Sequence, residues 1–154
     1  MDHNAHDFAR QGDLTKMTAL LVAGLNPNLT DPRGFSLLMI AAYSNQVEMT
    51  CLLLENGADP DSIDASGNTT LMAMGFKGHL EPSKVLIEHK ADVNYRNAEG
   101  TTPLMMCAMF GQISLAQLLI DNGANTSIAD KQGKTAADHA VERGLPHVVF
   151  DAFG

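Results

Sequence analysis

Histidines and carboxylates, the side chains that bind metals and transfer protons, occur along the whole of this 154-residue chain. His3 and His6 lie three residues apart and could contact a metal together with Asp2 and Asp7, but we interpret them as a polar chain terminus. The other histidines occur singly near predicted helix ends, and we interpret them as polar surface residues: His79, His89, His139 and His147.

Nucleophilic and redox chemistry have no recognisable motif in this sequence. Cys51 and Cys107 are far apart and form no CxxC pair, so we interpret them as reduced thiols that pack like small apolar residues. The chain contains no GxSxG, phosphate-binding loop or HExxH motif. We therefore predict that the protein is not an enzyme and that it has no catalytic residues, metal or cofactor.

The charge balance is acidic, with 10 Lys and Arg residues against 18 Asp and Glu residues and a formal net charge of −8. Too few cations are present to replace phosphate counterions, so we predict no binding to nucleic acid. A basic protein partner is compatible with this charge. The sequence also shows neither a signal peptide nor a long apolar run, so we expect no membrane association and a cytoplasmic location.

Glycines recur with a period of 33 residues along most of the chain, and the clearest register is Gly34, Gly67, Gly100 and Gly133. Two further registers have the same period: Gly12, Asn45, Gly78, Gly111 and Gly144, and then Gly24, Gly57, Lys90 and Gly123. No insertion interrupts these registers. They predict a chain built from repeated structural units.

Each unit has the same local pattern, in which a polar turn precedes two short apolar helices. The turn at Asp64–Gly67 has an Asp side chain that can bond backbone amides and a Gly that accepts positive φ. A hydroxyl residue follows each turn at the expected helix N-cap: Ser36, Thr69, Thr102 and Thr135. Pro103 fits the first helical position.

The segment Thr101–Ala108 resembles the ankyrin signature T-P-L-H-x-A, with Met105 in place of the usual His. Asp59, Asp92 and Asn125 resemble the residue after Gly-Ala at the end of an ankyrin repeat. The resemblance covers nearly the whole chain. It implies an all-α ankyrin-repeat solenoid of helix–turn–helix units joined by β-hairpin-like loops, with about five repeats including two caps.

These repeats divide one predicted domain, 1–154, into an N-terminal cap at 1–30, repeats at 31–63, 64–96 and 97–129, and a C-terminal cap at 130–154. We expect the capped stack to be a monomer. Lys90 stands where Gly normally forms a left-handed helix cap, so the joint near it should be a softer part of the stack. Phe150 and Phe153 either fold back on the fourth unit, which we favour, or the C-terminus contacts another molecule.

Resemblance to ankyrin repeats implies a concave face built from the hairpin tips and the first helices. The positions of the repeat expected on this face predict a partner-binding surface formed by Arg33, Phe35, Tyr43, Phe76, Lys77, Glu99, Met109, Phe110 and Arg143. Aromatic side chains, Met and Arg are typical of interface hot spots. The alternative is that these side chains pack between first helices; for Met109 the two interpretations stay open.

The predicted function is therefore protein binding on the concave face, as an adaptor or scaffold. The alternative is a dedicated inhibitor or immunity-type protective partner of one enzyme or toxin, since acidic faces speed the capture of basic partners. Binding of a metabolite or peptide is a third possibility, for which the sequence shows no pocket-forming insertion.

Overall fold

The computed structural model describes residues 4–150, except for the side chain of Val148. Asp2, His3 and Phe153, which were assigned to the polar terminus and the apolar tail, lie outside the described residues. Over the described part of the chain, the α-helices are α1 (Ala5–Gln11), α2 (Leu14–Val22), α3 (Leu37–Tyr43), α4 (Val47–Glu55), α5 (Thr70–Lys77), α6 (Leu80–Glu88), α7 (Pro103–Phe110), α8 (Ile113–Asp121) and α9 (Ala136–Arg143). A 3-10 helix follows at His147–Phe150.

The helices stack in two layers. The first helices of the pairs contact one another in the order α1, α3, α5, α7, α9, and the second helices contact one another in the order α2, α4, α6, α8. One continuous core lies between the layers and contains equivalent leucines of successive units, which are at most 1% exposed: Leu38, Leu71, Leu104, Leu53, Leu86 and Leu119. Because each pair buries its apolar face against its neighbours, the predicted all-α ankyrin-type solenoid is confirmed.

The hydroxyl residues after the turns are helix N-caps, as predicted. The side-chain oxygens of Ser36, Thr69 and Thr102 accept hydrogen bonds from the backbone amides three residues later. At Thr135 the bond is reciprocal, since the Asp138 carboxylate accepts from the Thr135 amide. These bonds satisfy amides that have no partner within the helix, and they set where each first helix begins.

The loops before these caps are hairpin-like. Antiparallel bridges join Thr30 to Ser36 and Ile63 to Thr69. Inside the first of these turns, Oδ1 of Asp31 accepts the amides of Arg33 and Phe35, both at 2.9 Å. The side chains of Asp64, Asn97 and Asp130 bond their own turns in the same way. The repeated acidic or amide residue therefore shapes each hairpin tip.

Side chains at the N-caps of the second helices bond to the first helix of the preceding unit. Gln46 Nε2 donates to the Arg10 carbonyl at 3.0 Å, and His79 Nε2 donates to the Tyr43 carbonyl at 3.1 Å. Gln112 Nε2 lies 3.5 Å from the Phe76 carbonyl in the equivalent place. These contacts satisfy carbonyls at the ends of first helices and fix the offset between units.

Lys90 has the left-handed conformation predicted for its position, with φ of 71°. Asn45 is the other non-glycine residue with positive φ among the described residues, at 58°. Amide side chains tolerate this conformation better than a lysine does. Lys90 is therefore a position of local backbone strain, and the softness of its joint stays a prediction.

The C-terminal 3-10 helix occupies the place of a second helix, because it packs against both α8 and α9. Phe150 is fully buried there. The prediction that this residue folds back on the stack is confirmed, and its burial removes apolar surface from water at the end of the solenoid.

Candidate protein-binding surface

Three exposed aromatic side chains lie at the ends of three successive first helices. Tyr43 is the last residue of α3, Phe76 is the penultimate residue of α5, and Phe110 is the last residue of α7. Their exposed fractions are 39%, 45% and 38%. The adjacent stacking of α3, α5 and α7 brings these residues, which are far apart in sequence, to one face.

These three rings form a continuous row, called here the aromatic row. The rings of Tyr43 and Phe76 are nearly parallel, with centroids 6.4 Å apart and an interplanar angle of 13°. The rings of Phe76 and Phe110 are perpendicular, with centroids 4.8 Å apart and an angle of 89°. Both arrangements suit the charge distribution of aromatic rings, so the row is ordered by its own contacts while it stays open to solvent.

Two cations lie against aromatic rings on this face, one of them a ring of the aromatic row. Lys77 Nζ lies 4.9 Å from the centroid of Tyr43, and the Arg33 guanidinium lies 5.0 Å from the centroid of Phe35. Arg33 also forms an ion pair with Asp31 at 3.2 Å. These contacts hold the long side chains beside the rings and leave charged groups at the edge of an apolar surface.

A groove of about 540 Å³ adjoins Tyr43 and Phe76. Its lining residues are Arg10, Arg33, Phe35, Met39, Ile40, Tyr43, Ser44, Asp64, Asn68, Ala73, Phe76 and Met106. Four of the nine predicted binding residues, Arg33, Phe35, Tyr43 and Phe76, thus meet around one concavity. Phe110 extends the row beyond it.

The floor of the groove was missed by the sequence prediction. Ile40 and Ala73 lie one helical turn before Tyr43 and Phe76, and Met106 is the next residue in their 33-residue register. Side chains three residues apart share a helix face, so the register itself contained the signal that could have identified them.

The remaining predicted residues lie beside the groove or farther along the stack. Met109 is half-buried and packs against the core, which favours a structural role for much of its side chain. Arg143 is exposed, but its Nη1 donates to the Met109 carbonyl at 2.8 Å. This bond satisfies a carbonyl at the C-terminal end of α7. Glu99 is exposed at a hairpin tip, where its carbonyl accepts the Lys131 amide at 3.0 Å.

The titratable groups with shifted pKa values have structural causes. Burial alone would raise the pKa of Asp130, but hydrogen bonds from the Lys134 amide, the His139 ring and the Gln132 amide outweigh burial and lower it. At Asp31 burial is likewise outweighed by the amides of Phe35 and Arg33, so its pKa is also lowered. Burial raises the pKa of the Cys107 thiol to about 12, which keeps it protonated and unreactive at neutral pH.

None of the helices between residues 4 and 150 is long and apolar enough to cross a membrane.

Comparison with known proteins identifies the repeat. The family model for ankyrin repeats, in three copies, matches residues 5–97 and 73–150. A curated ankyrin repeat protein of Pseudomonas aeruginosa is 44% identical over 46 residues, which are 30% of this chain and 27% of that protein. The chain thus matches about a quarter of that relative's length. Ankyrin repeats are generally protein–protein interaction modules and are typically not enzymes.

The match agrees with the capped hairpins and the two stacked helical layers described above. It extends over nearly all of the described residues, and the chain therefore belongs to the ankyrin-repeat family.

Proposed function

We propose that this protein binds a partner protein through the aromatic row of Tyr43, Phe76 and Phe110 and the groove beside it. The observation that supports this most directly is a row of three aromatic rings in which Phe76 packs against both Tyr43 and Phe110, while each ring remains more than a third exposed. Contiguous apolar surface with a polar rim is typical of interaction sites, and aromatic anchors supply most of the energy in such sites.

The chemistry of the groove favours a partner segment that carries an apolar side chain next to acidic groups. The apolar side chain would contact Phe35, Tyr43 and Phe76, and the acidic groups would meet the cations that line or border this surface, which are Arg10, Arg33 and Lys77. The net charge of −8 acts at longer range and is compatible with a partner that is basic as a whole.

The test is a double charge substitution, Phe76→Glu with Phe110→Glu, in a quantitative pull-down from the cells that produce the protein. Partners bound by the wild type should be lost, because loss of an aromatic hot spot costs about 2 kcal/mol or more in binding. The melting temperature should change little, since both rings lie at the surface, with exposed fractions of 45% and 38%. Loss of the fold would assign the rings to the core instead.

The control is Val22→Glu, which places one of these negative charges on an apolar residue that is 84% exposed at the end of a second helix. Its partners should be those of the wild type. If both variants lose the same partners, the effect comes from the added charge, and the aromatic row is not the binding site.

The proposed role is that of a monomeric, cytoplasmic adaptor or scaffold, for which the free thiols of Cys51 and Cys107 suit a reducing compartment. An inhibitor would differ in having one dominant partner whose activity falls when the two proteins are mixed. Several unrelated partners would favour the adaptor.

A further inference from the structure

Three different metal-binding side chains converge on the second-helix layer, away from the aromatic row. Cys51 and Glu55 lie one turn apart on α4, and His89 is the C-cap residue that directly follows α6. The Cys51 sulfur, a Glu55 carboxylate oxygen and a His89 ring nitrogen all lie within 4.8 Å of one another. The packing of α4 against α6 produces this meeting of residues that are far apart in sequence.

The hydrogen bond of His89 determines which of its two ring nitrogens is free to bind a metal. Nδ1 lies 2.9 Å from the Val85 carbonyl, which can only accept, so Nδ1 carries the proton. Nε2 then keeps its lone pair. A histidine ligand commonly donates its second ring N–H to a carbonyl in this way, which fixes both its tautomer and its orientation.

The other two ligands already contact each other. The Cys51 thiol donates to the Glu55 carboxylate at 3.4 Å, and Cys51 and His89 are half-buried while Glu55 is exposed. Ligand atoms around a tetrahedral zinc are about 3–4 Å apart. The Cys51–Glu55 separation already lies in this range, and His89 lies within 4.8 Å of both ligand atoms.

We propose that Cys51, Glu55 and His89 form a zinc site that links two successive repeats. A thiolate, an imidazole and a carboxylate together suit Zn²⁺ better than Mg²⁺ or Ca²⁺, which prefer oxygen ligands alone. On binding, the sulfur–zinc bond replaces the sulfur–hydrogen bond, the proton leaves to solvent, and no oxidation occurs. Water fills the fourth position on the exposed side.

The position of the site indicates what the metal would do. His89 directly precedes Lys90, whose left-handed backbone strains this joint. A metal held between α4 and α6 would cross-link the two second helices there. The free energy of metal binding would then add to the stability of the joint, because the unfolded chain does not hold these ligands together.

Cobalt is the direct probe, since a thiolate bound to Co²⁺ gives a sulfur-to-metal charge-transfer band in the near ultraviolet. The wild type should show this band together with the visible bands of tetrahedral cobalt, and Zn²⁺ should remove them by displacing Co²⁺. Cys51→Ser should abolish the charge-transfer band, whereas Cys107→Ser should keep it. His89→Gln should weaken cobalt binding at least about tenfold, because even loss of an outer-shell partner has that effect.

Thermal melts complete the test. Zn²⁺ should raise the melting temperature of the wild type but not of Cys51→Ser, and the two should melt similarly in a chelator. Should Cys51→Ser fold poorly, Glu55→Gln changes an exposed side chain and should still reduce the zinc-dependent rise. A wild type without the cobalt band, or a band that survives in Cys51→Ser, would overturn the proposal. Either result would leave the aromatic row unaffected.

Discussion

At the scale of single residues, Lys90 has the side chain that suits its backbone least. A left-handed conformation costs a residue with a Cβ about 1–2 kcal/mol, whereas glycine adopts it freely. Lys90→Gly should therefore raise the free energy of unfolding by about 0.5–1 kcal/mol, after the greater flexibility of unfolded glycine is deducted. Urea unfolding in the presence of a chelator measures this effect without a contribution from metal.

Asn45→Gly is the matched control for Lys90→Gly, because Asn45 has the same left-handed backbone but a side chain that tolerates it. Its free energy of unfolding should change by less than that of Lys90→Gly. Equal effects of the two substitutions would show that strain specific to Lys90 does not weaken this joint.

Asp130 makes the free energy of unfolding decrease at low pH. Burial opposes its ionisation, but the Lys134 amide and His139 lower its pKa in the folded state. A group with a lowered folded pKa stabilises the fold above its unfolded pKa, and this contribution is lost as the pH falls through the folded pKa. Asp130→Asn should therefore flatten the decline in unfolding free energy from about pH 5 to about pH 2.

Asn is a suitable replacement for Asp130 because Asn97 already accepts the equivalent two amides in the preceding turn. Glu48→Gln, which removes one exposed charge elsewhere, is the control. A decline as steep in Asp130→Asn as in the control would show that the hydrogen-bonded carboxylate does not cause the acid sensitivity.

At the scale of helices, the distance between α5 and α7 depends on Gly75. A Cβ at this position would lie 2.7 Å from the Met106 Cβ and 3.3 Å from the Cys107 nitrogen. Gly75→Ala gains about 1 kcal/mol of helix propensity, but overpacking costs about 1–3 kcal/mol. We expect a net loss of up to about 2 kcal/mol in the free energy of unfolding, measured by denaturant titration.

The same substitution in a Met106→Ala background identifies the contact responsible. Alanine keeps the Cβ that Gly75→Ala would meet, so the penalty should persist there. A penalty that disappears in this background would assign the effect to the outer part of the Met106 side chain, and the close helix approach would not be its cause.

The local parts of each repeat were predictable from the sequence. N-caps such as Thr102 and turn residues such as Asp64 act through bonds to amides within four residues, so spacing alone identifies them. The left-handed backbone at Lys90 follows from the glycine register for the same reason.

Contacts between units could not be predicted in this way, because they depend on the offset between stacked layers. The bond from His79 to the Tyr43 carbonyl and the meeting of His89 with Cys51 both require that offset. The aromatic row was predictable as a set of positions, but the perpendicular packing of Phe76 and Phe110 was not.

At the scale of the whole molecule, stacking turns three separate aromatic residues into one surface. Neither α3, α5 nor α7 alone carries more than one ring of the row. The surface therefore exists only while the layers stay in register, which links the stability of the joints to binding. The central claim is that a partner protein contacts this surface directly.

Site-specific photo-crosslinking tests that claim most directly. A benzophenone amino acid would replace Phe76 in the aromatic row or Val22 at the end of a second helix, and the cells that produce the protein would be irradiated. We expect a discrete protein adduct from position 76 and none from position 22. The absence of an adduct at position 76, or the same adducts at both positions, would contradict the account.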